Sequence, residues 1–220
     1  NSMATPAMYV AKLAKMGIDT QPEHILTSAT ATRVYIDEHL SDDAGVYVVG
    51  MPPLRDQLFN GSTKHYSEGD PAIEAVVVGL DLEFTYAKLK TANRAIRSGA
   101  AFIATNTDAT LPTEEGLVPG AGSVIAAIKP ASGVNPVIIG KPEPTTLHMS
   151  AKKMGLSPAD CVMIGDRLDT DILAGARAGM LTSLVLTGVS TRDDIATSDV
   201  LPDLVFSDLT ALLASFTGEN

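Results

Sequence analysis

Two hydrophobic patterns alternate along the chain. Short, mostly apolar runs predict strands over residues 46–50, 74–78, 101–104, 137–139, 162–165, 182–186 and 204–206. Between them, apolar residues recur at helical spacing. The first such helix begins at Thr5-Pro6, an N-cap followed by proline at the first helical position. It passes Met8, Val10, Leu13 and Met16 and stops at Gly17. Further helices are predicted over 29–40, 52–59, 86–98, 123–129 and 145–154, with another after Thr170 running to Ala178. Residues 18–27 read as a connection with a short strand, and the Pro/Gly-rich stretch before Gly122 reads as loop. Strands that are apolar throughout are those buried on both faces. Interleaved with helices, they predict an α/β fold on parallel sheet.

Composition narrows this picture. A length of 220 residues suits one large domain or two modest ones, and 45% hydrophobic residues can fill a sizeable core. No repeat is visible, and the segment 131–136 is a candidate hinge. A net charge of −10 and a pI near 4.7 argue against a nucleic-acid surface. No apolar run approaches the roughly 18 residues of a membrane span. The single cysteine, Cys161, excludes an internal disulfide and points to packing in a reducing compartment, hence a cytoplasmic location. The chain opens Asn1-Ser2 and enters a helix almost at once, which suggests that it begins inside a larger protein.

Chemistry concentrates at strand ends. In Val162-Met163-Ile164-Gly165-Asp166 an apolar strand ends in a carboxylate, and Arg167-Leu168-Asp169-Thr170-Asp171 leads into the next helix. Loops at the carboxyl ends of parallel strands form the ligand crevice. Asp166 is placed there to hold a hard cation such as Mg2+. Asp171 falls in the first helical turn, where it either orients its neighbours through backbone N–H groups or serves as a plain helix-start carboxylate. Asp169 reads as solvated. Lys141 follows the run 137–140, with Pro142 and Pro144 stiffening its loop, and a fixed ammonium at a sheet edge suits a phosphate. Asn1 and Ser2, before the first helix, are weaker phosphate candidates. Two look-alikes fail. Asp81-Leu82-Glu83 lacks the second aspartate of a nucleophile motif, and Gly120-Ala121-Gly122 follows a proline rather than a strand and lacks a third glycine. His24, His39, His65 and His148 show no metal-ligand spacing.

Together, Gly140-Lys141-Pro142 and the stretch from Gly165 to Ile172 resemble the third and fourth motifs of haloacid dehalogenase-like phosphatases. The closer likeness is to the subfamily of 4-nitrophenyl phosphatase, phosphoglycolate phosphatase, pyridoxal phosphatase and the nucleotidase of the N-acetylglucosamine operon. Val77-Val78-Gly79-Leu80-Asp81, the stretch from Phe102 to Asp108, Pro119-Gly120-Ala121-Gly122 and Leu186-Thr187-Gly188-Val189-Ser190 support it.

The resemblance implies a Mg2+-dependent phosphomonoesterase working through an aspartyl-phosphate. It assigns Lys141 to the phosphate and nucleophile, Asp166 to the metal and Asp171 to its support. Asn1 and Ser2 match the tail of the second motif, and Asn106 and Asp108 of the cap would face the substrate. It implies a Rossmann-like parallel-sheet core over 1–27 and 135–220, incomplete at its N-terminus, with an inserted α/β cap over 28–134. The first motif, Asp-x-Asp-Gly, has no counterpart in these residues, so the expectation is a chain lacking its nucleophile and inactive by itself. The implied partner is a small phosphorylated metabolite, with neither nucleic acid nor membrane, and a homodimer through the cap is compatible. The competing readings are a non-catalytic binding module on the same scaffold and, less favoured, phosphomutase chemistry.

Overall fold

A computed structural model describes residues 2–69 and 73–217. The expected α/β class is present as two compact units, residues 1–140 and 141–220.

In the first unit, α1 (Pro6–Ala14) is capped by Thr5, whose side chain accepts the Met8 N–H, and Gly17 turns the chain at φ 78°. The short strand expected within 18–27 is not formed. Pro22–His24 makes a single tight turn instead, closed where the His24 ring accepts the Gln21 N–H. A proline without a donor and a locally satisfied backbone leave no ladder to join. There follow α2 (Ser28–His39), β1 (Gly45–Val49), α3 (Pro52–Phe59), β2 (His65–Tyr66), β3 (Ile73–Val78), α4 (Tyr86–Arg97) and β4 (Ala101–Ala104). The hairpin β5 (Thr110–Thr113) and β6 (Gly116–Pro119), α5 (Ala121–Ser132) and β7 (Val137–Ile138) complete the unit. Ala131 and Ser132, at the head of the candidate hinge, belong to α5.

Five strands pair in the order β2-β1-β3-β4-β7, every neighbour parallel. All of β1 and the last four residues of β3 are buried. Tyr47, Val49, Val76, Val78 and Phe102 pack against Ala92, Ile96, Ile125 and Ile128 of α4 and α5. Each fully buried aliphatic side chain contributes about 1.5–3 kcal/mol. Arg33 of α2 closes the end of α3. Its guanidinium donates to the Leu58, Asn60 and Gly61 carbonyls and pairs with Asp37. Carbonyls that a helix end leaves open are thereby satisfied.

The stretch read as loop before Gly122 contains the β5–β6 hairpin. Its two strands pair only with each other, so Pro112 and Pro119 sit where no further neighbour needs their missing N–H. Thr113 Oγ1 donates to the Gly116 carbonyl and accepts from the Glu115 N–H, which shapes the turn.

The second unit contains α6 (Thr145–Met154), β8 (Val162–Gly165), a π-helical turn Leu168–Ile172 leading into α7 (Leu173–Ala178), β9 (Leu181–Val185), α8 (Arg192–Thr197), β10 (Leu204–Phe206) and α9 (Leu209–Thr217). Its parallel sheet has the order β10-β9-β8. Leu168, Ile172 and Leu184 form one small core, and Ala151, Cys161, Ala178 and Met180 another. Cys161 is buried, in keeping with a packing role. Gly175 brings α7 close to the sheet, because a Cβ there would meet Met163 Cβ and Thr182 Cγ2, each at 2.8 Å.

Candidate active site

The chemistry of the second unit gathers around Asp171, which is 3% exposed. Its Oδ1 accepts from Lys141 Nζ at 2.5 Å. Its Oδ2 accepts the backbone N–H groups of Asp166 at 3.0 Å and Arg167 at 3.2 Å. One carboxylate therefore ties the Lys141 ammonium to the end of β8. Gly165 makes this possible, since a Cβ there would collide with Asp171 Cγ and Oδ2. The wide π turn that delivers Asp171 closes with the Asp171 and Ile172 N–H groups both donating to the Arg167 carbonyl.

Asp166 is fixed from the other side by the turn after β9. Its Oδ2 accepts the Val189 N–H at 3.0 Å, and its carbonyl accepts the Ser190 N–H at 2.9 Å. Ser190 Oγ accepts the Leu168 N–H at 3.1 Å. Gly188 cannot bear a side chain, because a Cβ would fall inside the Asp166 carboxylate. Asp166 Oδ1 is a hard acceptor oxygen at the strand end with no hydrogen-bond partner among the described residues. That suits one ligand position of Mg2+, which takes one or two carboxylates and fills the rest with water and substrate phosphate. Among the described residues no group of three or more His, Cys, Asp or Glu side chains is placed to hold a metal. Asp169 is largely exposed and pairs with Arg167.

The first unit holds the other sequence candidates. Ser2 is buried, and its Oγ lies 2.8 Å from where a Cβ on Gly79 would stand, with Thr105 Oγ1 3.2 Å from the same point. Asn1 lies outside the described residues. Asn106 Oδ1 accepts the Asp108 N–H at 3.1 Å, so its side chain shapes a turn. Gly120 and Gly122 fold back on that turn, their N–H groups donating to the Ala109 and Asp108 carbonyls. Asp108 Oδ1, Thr105 Oγ1 and Ser28 Oγ are buried without a partner among the described residues. Buried polar atoms are nearly always bonded, so these oxygens are suited to a bound hydroxyl or water.

Asp81 is no free nucleophile. Lys88 Nζ reaches both its oxygens at 3.0 and 2.7 Å, and the Glu83 N–H donates to one of them. The four histidines serve local structure; His148, for example, donates from Nε2 to the Ala178 carbonyl at 3.3 Å.

Comparison with known proteins decides the family. The haloacid dehalogenase-like hydrolase family matches residues 1–61, and the related HAD-hydrolase-like family matches residues 138–212. The acid sugar phosphatase of Staphylococcus aureus is 41% identical over 214 residues, covering 97% of this chain and 82% of that protein. The chain belongs to the haloacid dehalogenase-like hydrolases. Its solved relatives agree. The 4-nitrophenylphosphatase of Thermotoga maritima aligns with a TM-score of 0.87 at 34% identity, covering 96% of this chain and 80% of that one. The glycerol phosphate phosphatase of Mycobacterium tuberculosis, solved with calcium, aligns at 0.88 and 32% identity, covering 96% and 63%. In this hydrolase, Val189, Gly188 and Ser190 hold Asp166 although residue-by-residue reading assigned them no role. Their sequence signal is the Thr187-Gly188-Val189-Ser190 turn that follows an apolar strand.

Proposed function

We propose that the protein is a Mg2+-dependent phosphomonoesterase acting on a small phosphorylated metabolite in the cytoplasm. The observation that carries this reading is the shared carboxylate of Asp171. It joins a fixed ammonium, Lys141, to a strand end whose own carboxylate, Asp166, has one oxygen without a hydrogen-bond partner among the described residues. Phosphatases among the relatives support it.

Lys141 binds phosphoryl oxygens and stabilises the attacking carboxylate. Asp171 holds that ammonium, and Asp166 would be a carboxylate ligand of Mg2+. Bound Mg2+ would offset charge on the phosphoryl oxygens. An aspartate attacks phosphorus and the alcohol leaves with a proton from a neighbouring acid. Water then opens the aspartyl-phosphate and inorganic phosphate is released. The resemblance assigns this step to the aspartate of an Asp-x-Asp-Gly motif, which the 220 residues do not contain.

In the same reading residues 28–134 form a cap inserted into a core of 1–27 and 135–220. By the resemblance, Asp108 and Asn106 are assigned to substrate contacts and Asn1 and Ser2 to the phosphate-binding motif, and the cap is the face for a homodimer. The rival reading is a non-catalytic binding module on this scaffold.

The test is hydrolysis of 4-nitrophenyl phosphate by the natural full-length protein, with Mg2+ and after its removal by EDTA. The expected result is Mg2+-dependent release of phosphate, with no turnover and weak Mg2+ binding for the 220 residues alone. A full-length protein that carries Asp-x-Asp and hydrolyses no phosphomonoester overturns the enzyme reading in favour of the module. Turnover by the 220 residues overturns the missing nucleophile.

A further inference from the structure

The turn and helix that bring Asp171 to Lys141 also grip the Lys141 loop at a second point. Arg177 of α7 donates from Nη1 to Glu143 Oε1 at 2.6 Å and toward the Pro142 carbonyl at 3.4 Å. Beyond the loop, the His148–Ala178 contact ties α6 to the end of α7. Pro142 and Pro144 fix φ at two of the residues between these anchors. The loop is therefore held at its ammonium by Asp171, at its backbone by Arg177 and at its exit by His148.

We propose that Arg177 is a positioning residue for Lys141, setting the loop so that the ammonium meets a phosphate. The proposal rests on the phosphatase reading for its ligand. The Arg177–Glu143 pair is 43% and 39% exposed, and exposed pairs add only about 0–1 kcal/mol to stability. A displaced binding group, by contrast, loses affinity steeply with distance. A purely structural role and a positioning role therefore predict different outcomes.

The experiment measures inorganic phosphate binding by calorimetry in the natural full-length protein. It also follows the Lys141 ammonium signal by NMR without ligand, with Arg192→Met on α8 as control. Arg177→Met should weaken phosphate about three- to tenfold, the scale of one hydrogen-bonded contact. Its Tm should stay within about 3 °C of wild type. Arg177→Lys should recover part of the loss, since a lysine can still meet Glu143. In a Lys141→Met background Arg177→Met should add no further loss. The Lys141 signal should broaden in Arg177→Met and not in Arg192→Met.

Equal losses in both backgrounds, or unchanged binding and an unchanged Lys141 signal in Arg177→Met, overturn the proposal. A wild-type protein that neither binds phosphate nor hydrolyses esters overturns the phosphatase reading instead. The NMR comparison then still decides whether Arg177 sets Lys141.

Discussion

β1 and β8 are short parallel strands, and each reaches a glycine at its carboxyl end. Gly50 follows β1, and a Cβ there would meet Leu54 Cδ2 at 2.7 Å. Gly165 ends β8, and a Cβ there would meet Asp171 Oδ2 at 2.6 Å. In both places the missing side chain lets a residue of the following helical segment drop over the strand end. Over β1 that residue is apolar and fully buried, and it extends the core. Over β8 it is a carboxylate that gathers an ammonium and two backbone N–H groups. The surroundings differ accordingly: β1 is buried along its whole length, while Val162 and Ile164 of β8 are 37% and 42% exposed. The same backbone device yields packing in one unit and chemistry in the other, according to the side chain that fills it.

Four changes would break or sharpen this contrast. Leu54→Ala should have the largest effect, lowering stability by about 2–5 kcal/mol through lost burial and a cavity. Denaturant unfolding measures the loss, and the phosphate affinity of the folded protein should not change. Gly165→Ala should push Asp171 off the strand end and cut kcat/KM for 4-nitrophenyl phosphate about 100-fold, the scale of an ångström's misplacement. Unchanged kinetics would break the parallel. Ser190→Ala should leave the Leu168 N–H buried without its acceptor and cost about 1–3 kcal/mol, again read by denaturant. Gly50→Ala should cost least, about 1 kcal/mol, because Leu54 Cδ2 is the tip of a flexible side chain and can swing aside.

The second unit should also carry a distinct acid response. Asp203 accepts from Thr182 N and Oγ1 at 2.8 and 2.7 Å, and these bonds hold its carboxyl below the ordinary range. A depressed folded pKa contributes stability above the unfolded value, near 4 for Asp, and loses it as pH falls through the folded value. Asp203→Asn should therefore narrow the stability gap between pH 7 and pH 3. An identical acid limb in the variant would remove Asp203 as its source.

Much of the α/β frame was legible because buried strands and amphipathic helices carry strong periodicity. The limits of α3, β4 and α6 follow directly from Pro52, the 101–104 run and Gly155. The β5–β6 hairpin was hidden by Pro112 and Pro119, which lower strand propensity yet do no harm on strands with a single neighbour. Two-residue β2 is too short to show a period, and the π turn differs from an α-helix only in how far its hydrogen bonds reach. In the site, Lys141, Asp166 and Asp171 stood out because charged groups at apolar strand ends are unusual. Arg177 carried no such signal, and Ser190 entered only within the Leu186 to Ser190 stretch that supports the resemblance. They act across 34 and 22 residues of sequence, through partners that only the folded chain supplies.

Gly175 has a consequence for how this chain can drift over generations. Any single-base change that alters a glycine codon, short of a stop, installs a Cβ, and at this position the Cβ would press on both Met163 and Thr182. The height of α7 above its sheet therefore has no neutral neighbours in mutational space. The reach of Asp171 toward Lys141 is inherited through a residue that takes no part in the chemistry.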